Sequence, residues 1–154
     1  MHVWPFYAGL AIAAGLSTWR NDCLRPIGLT VLASCAISNA AHWWLSPLER
    51  PAAYTVAEVA VMSVAFLAHV CGGPRLLVGV VAVSVMSVTF NLYAAWIGPL
   101  TIWQTNAWEI ATNLCFATEC LLVIGMALHA RSRTGTDNGR DATAVHALAA
   151  KADR

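Results

Sequence analysis

The chain has 154 residues, 58% of them hydrophobic and only 11% charged, with a formal net charge of +1. A typical soluble domain carries about a quarter charged residues, so the composition excludes an ordinary water-soluble fold. The near-zero charge likewise excludes the basic footprint of a nucleic-acid binder, and the length suits one domain.

Five apolar stretches follow one another. The first runs from Val3 to Trp19. No Lys or Arg precedes it, so it lacks the positive start of a secretory signal and is read as a retained segment. A helix needs ~20 residues to cross the ~30 Å hydrocarbon core, and this stretch offers ~17, the shortest of the five. If it stops short, four spans remain. Gly9, Ala13 and Ser17 recur in it at four-residue spacing, the kind of small-residue stripe that lets helix backbones approach. Arg20-Asn21-Asp22 then makes a polar turn.

The second stretch, Pro26 to Leu45, carries Cys35, Asn39 and His42 on one helical face. Breakers from Ser46-Pro47 to Pro51 separate it from the third, Tyr54 to Cys71, which holds Glu58 toward one end and His69 at the other. Gly72-Gly73-Pro74-Arg75 ends that span. The fourth, Leu76 to Ile97, repeats small residues at Gly79 and Ser87 and aligns Ser84, Ser87 and Asn91 on one face. After Gly98-Pro99 comes the fifth, Ala107 to Leu128, where Glu109, Thr112, Asn113, Phe116 and Glu119 fall within an arc of about 120°. The turns are short, which predicts antiparallel neighbours. Beyond Leu128 the chain becomes polar and small, reading as a mobile linker from Arg131 to Gly139 and a weak helix from Asp141 to Lys151.

The expected fold is therefore all-α: a polytopic membrane bundle over residues 1–130 and a flexible cytoplasmic tail over 131–154. An outside N-terminus puts Arg20, Arg25, Arg75, Arg131, Arg133, Arg140, Lys151 and Arg154 inside and only Arg50 outside, as the positive-inside rule prefers. It also gathers Trp4, Trp43, Trp44, Trp96, Trp103 and Trp108 at the outer interface, where an indole keeps its ring in lipid and its N–H in water. Short loops and small size fit a bacterial or phage inner-membrane protein.

Polar side chains inside apolar spans are the candidate site: Asn39, His42, Glu58, Asn91, Glu109, Asn113 and Glu119. Counted at 1.5 Å per residue, Glu58 lies ~6 Å and Asn39, Asn91 and Asn113 roughly 9 Å below the outer ends, with His42 and Glu109 just above. No Lys or Arg lies within the five stretches, so the carboxylates must be solvated, hydrogen-bonded or protonated. Matched depth makes His42 the expected partner of Glu58, while Glu119 is set deeper, near mid-membrane. The competing reading treats the asparagines as interhelical glue, each bond contributing ~1 kcal/mol or less.

Catalytic, metal and cofactor constellations do not emerge. The cysteines at 23, 35, 71, 115 and 120 form no C-x-x-C, and neither H-x-x-x-H, G-x-S-x-G nor a phosphate-cradling glycine loop occurs. The expected class is a non-enzymatic membrane component: an accessory subunit, a scaffold or a holin-like pore former, with the lipid bilayer, a second copy or another membrane protein as partner. The alternative is a proton or small-cation channel or transporter using the intramembrane carboxylates.

Overall fold

A computed structural model describes the backbone of residues 4–98 and 101–152, and the side chains of these except Trp4, Ile102 and those after Ser132. It is all-helical, with five helices: α1 (Trp4–Thr18), α2 (Arg25–Trp44), α3 (Arg50–Val70), α4 (Leu77–Ile97) and α5 (Ile102–Ala152). Three segments, Arg50–Val70, Leu77–Ile97 and Trp103–Ser132, are long and apolar enough to cross a membrane, which marks the chain as membrane-embedded. Helix α1 has 15 residues, about 22 Å at 1.5 Å per residue and thus shorter than the hydrocarbon core. Helix α2 has the length, but Arg25, Asn39 and His42 dilute its apolar character. The cytoplasmic tail expected over 131–154 lies largely outside the described side chains.

Local chemistry fixes the helix ends. Pro26 and Pro51 sit in the first turns of α2 and α3, where the missing N–H costs nothing and the fixed φ is already helical. Two turns at one end of the bundle use the same device. Ser46 donates from its backbone N–H (3.0 Å) and its hydroxyl (2.7 Å) to the Glu49 carboxylate. Thr101 donates likewise to Gln104 Oε1, both at 2.9 Å, before α5. With Gln104 N–H returning to Thr101 Oγ1 at 3.4 Å, the second is a T-x-x-Q capping box, whereas the Ser46–Glu49 pair makes the acid-to-backbone half of one ahead of α3. The two bonds from Ser46 hold the Glu49 carboxyl below the usual carboxylate range. A lowered value means that the turn gains from ionised Glu49 above the ordinary range and loses that gain as pH falls through the lowered one. An NMR titration should therefore give Glu49 a midpoint below that of a free glutamate, and Ser46→Ala, which removes the hydroxyl bond and keeps the backbone one, should raise it part of the way back. At the C-terminus of α3, Gly72 takes φ +89°, so that Gly73 N–H reaches Ala68 O (2.9 Å) and Gly72 N–H reaches His69 O (3.1 Å). That is a Schellman stop, whose left-handed residue favours glycine.

Consecutive helices pack side by side, and α5 closes the ring against α1, with a narrow contact to α2 across the interior. Bonds from Ser84 to Glu119 and from Trp108 to Asn91 show α4 and α5 antiparallel. Contacts of Tyr7 with Phe116 and of Arg131 with Ser17 show α1 and α5 parallel. Arg20, Arg25, Arg75 and Arg131 thus gather at one end of the ring. Arg50 lies at the other, where Trp43, Trp44, Trp96 and Trp103 stand exposed.

The α1–α2 crossing is tight because Gly28 lies against Gly15 and Thr18, and a Cβ on Gly28 would strike the Thr18 hydroxyl. The buried face of α1 is therefore Ala11, Ala14, Gly15 and Thr18. The expected stripe of Gly9, Ala13 and Ser17 is not that face, since a Cβ on Gly9 would meet nothing within 4 Å and Ala13 is exposed. In a helix with alanine or glycine at nearly every other position, four-residue spacing cannot choose a face. On α4 the stripe does point inward, with Gly79 toward Leu122 and Ser87 buried.

Candidate polar site inside the helix ring

The interior has two halves. Toward the arginine end it is filled by Leu24, Ile27, Val31, Val61, Leu77, Val80, Val123 and Met126, all at most 2% exposed. Toward the tryptophan end it holds a cavity of about 90 Å³ with contributions from all five helices. Tyr7 enters from α1; Cys35, Ser38 and His42 from α2; Tyr54 and Glu58 from α3; Ser87 and Asn91 from α4; Glu109, Thr112, Asn113 and Phe116 from α5. Such a volume has room for several waters, and the lining is polar enough to hold them.

At the inner end of the cavity Glu58, 5% exposed, neighbours the fully buried Glu119, with Ser87 beside Glu58. The Ser84 hydroxyl donates to Glu119 Oε1 at 2.6 Å. Oε2 of both glutamates, Ser87 Oγ and Asn91 Nδ2 nevertheless have no well-aligned bond. A buried polar group left without a partner costs about 1–3 kcal/mol, so these atoms set this part of the interior apart from the apolar packing around it.

Above the two acids, Trp108 Nε1 donates to Asn91 Oδ1 at 3.0 Å, and its ring stacks on Tyr54 with centroids 5.7 Å apart and an interplanar angle of 17°. Glu109 lines both this cavity and a surface pocket shared with Arg50 and Trp108. It therefore stands between the interior and the outside, with a cation at the outer side. Arg50 is itself anchored to Leu45 O by Nε at 3.2 Å. Trp108→Phe, which removes the indole donor and part of the ring stacked on Tyr54, should cost at least about 1 kcal/mol. The check is the denaturation midpoint; an unchanged midpoint would show that the bond carries nothing.

Of the residues singled out in the sequence, His42, Glu58, Asn91, Glu109 and Asn113 line the cavity, and Glu119, outside the lining, is fully buried beside Glu58. Asn39 is half-buried and outside the lining, where Ser38 takes the facing position. Glu58, matched by depth with His42 in the sequence, is buried beside Glu119 and Ser87 and shares its cavity with His42. Tyr7, Ser38, Tyr54 and the inward role of Trp108 had no sequence signal beyond being amphipathic residues near a helix end. Among the described residues, no three His, Cys, Asp or Glu side chains converge in a way that could hold a metal ion.

No protein-family model, curated protein or solved structure matches this chain.

Proposed function

We propose that the chain is a proton-handling membrane bundle whose Glu58–Glu119 pair takes up and releases protons through the polar cavity. The observation that carries this reading is the neighbouring of two buried carboxyl groups at the inner end of a cavity that Glu109 links to the outer surface. A hydrogen bond between two carboxyls requires a proton on one of them. Loss of that proton would leave two like charges in a low-dielectric interior, which is strongly unfavourable. The pair is therefore suited to hold one proton and to exchange it with cavity water, with Glu109 as the nearer acceptor and the Ser84 hydroxyl stabilising Glu119. A proton fits better than a metal cation, since a cation wants several converging ligands and a proton needs only a hydrogen-bonded chain.

The apolar packing below Glu119 supports one-sided loading rather than an open pore. Passage across the membrane would require that packing to part, as in gated or alternating-access devices. We take all five helices to span or nearly span the bilayer, N-terminus outside and C-terminus inside. The arginine end then faces the cytoplasm of a bacterial inner membrane and the tryptophan end the outer headgroups. The accessory, scaffold or holin-like reading has no support of comparable specificity, because none of those roles uses a buried acid pair. The test is proton flux into vesicles carrying a pH-sensitive dye under an imposed gradient. Flux above that of empty vesicles, lost in Glu58→Gln/Glu119→Gln, is the expected result. A wild-type rate equal to empty vesicles would reject the reading, and lysis on expression that persists in the double variant would favour the pore former.

A further inference from the structure

A second feature lies at the opposite end of the ring and has no part in proton handling. Between the end of α1 and the last described turns of α5 is a groove of about 470 Å³ lined by Ser17, Arg20, Asn21, Ala127, Ala130 and Arg131. Two arginines from separate elements line it, and none of its described lining residues is acidic. The acid of the adjoining loop, Asp22, is paired with Arg25 at 3.3 Å.

Both arginines are held by structure. Arg131 donates from Nη2 to Ser17 O at 3.0 Å, one of the last carbonyls of α1, where the helix dipole favours a cation. Asn21 Oδ1 accepts from the backbone N–H groups of Cys23 and Leu24, both at 3.1 Å, which fixes the turn that carries Arg20. Guanidinium groups match phosphate oxygens with parallel donors, and two arginines beside the small Ala127 and Ala130 leave room for a phosphodiester. The surroundings are amphipathic in the same sense as a lipid. Leu16 and Leu128, on the turns that frame the groove, are 66% and 57% exposed, and Trp19 beside Arg20 is 60% exposed. A charged head would meet the arginines while its acyl chains lie along α1 and α5.

We propose that this groove binds the phosphodiester headgroup of an anionic phospholipid, so that lipid fastens the short helix α1 to α5. Basic pockets between helices at a membrane surface commonly take such headgroups. The experiment uses the purified full chain in neutral detergent, titrated with phosphatidylglycerol, phosphatidylcholine or inorganic phosphate, with Tm as the readout. At about a hundredfold excess over its Kd, phosphatidylglycerol should raise Tm by about 5 °C. Phosphatidylcholine and inorganic phosphate should raise it far less. The shift should collapse in Arg20→Gln/Arg131→Gln and persist in Arg75→Gln, which changes a cation outside the groove. Because loss of Arg131 also removes the Ser17 bond, Arg20→Gln alone provides a second reading with that bond intact, and it should at least halve the shift. Equal shifts from the two lipids, or a full shift in Arg20→Gln, would overturn the proposal. A shift with inorganic phosphate matching that with phosphatidylglycerol would assign the groove to a soluble anion and overturn the lipid reading.

Discussion

Replacing Glu119 with glutamine is expected to cut proton flux about a hundredfold, the scale on which a positioned proton-transfer group acts, while leaving the fold intact. The amide keeps the shape of the side chain, still accepts the Ser84 hydroxyl bond through its oxygen, and can donate to Glu58. What it cannot do is exchange a proton. Leucine at the same position should behave differently. It removes the acceptor for Ser84 and the partner of Glu58 together, leaving two more buried polar groups unmet at about 1–3 kcal/mol each. Glu119→Leu should therefore lose stability as well as flux, whereas Ser84→Ala should lose a modest part of the flux only. The comparison separates chemistry from architecture. Flux retained in a well-folded Glu119→Gln protein would remove the acid pair from the mechanism, and equal stability of the glutamine and leucine variants would show that the pair contributes nothing to folding.

A second large structural effect is expected at Gly28. Its α-carbon is where α2 passes closest to α1, and even one added carbon meets Thr18 and lies 3.2 Å from the Gly15 backbone. Thr18 cannot readily yield, being bonded to Ala14 O (3.1 Å) and Gly15 O (2.9 Å) of its own helix. Leucine there should push α1 off α2 at a cost of about 1–3 kcal/mol, the usual range for overpacking. Since α1 contributes Tyr7 to the cavity, the same variant should also expose Cys35 to thiol reagents. Detergent-titrated unfolding followed by circular dichroism, together with Cys35 labelling, reads both consequences. Gly125→Leu is the matched control, because a Cβ there meets nothing within 4 Å. Equal midpoints for the two variants would mean that the close crossing is not a source of stability.

These effects show how far the sequence could be read. The polar residues of the site were nearly all visible as exceptions in apolar spans, because lipid makes each such residue expensive. Their partners were not visible. Depth counted along isolated helices set Glu58 and Glu119 apart, yet the two are neighbours, since a glutamate side chain reaches several ångströms from its backbone and axial offsets between helices shift whole layers. Helical periodicity likewise left Ser38 and Asn39 undecided, being neighbours about 100° apart. Trp108 read as one more interfacial indole until Asn91 and Tyr54 were found holding it inward. Similarly, S-x-x-E at Ser46 and T-x-x-Q at Thr101 were legible capping signals hidden among loop residues.

What the sequence determined by itself is the solvent and the building blocks: apolar helices for a membrane, the turns that end them, arginines grouped at one set of turns and tryptophans at the other. Those follow from composition and from local geometry, which each segment carries within itself. Only the tertiary structure decided that the helices close into a ring, that its interior is polar and acidic at one end and apolar at the other, and that Arg20 and Arg131 share a groove. The reason is that a helix fixes where its side chains stand around its own axis, whereas its rotation, tilt and axial offset against its neighbours are set by packing, here at Gly28, Ser84 and Trp108, between residues far apart in the chain.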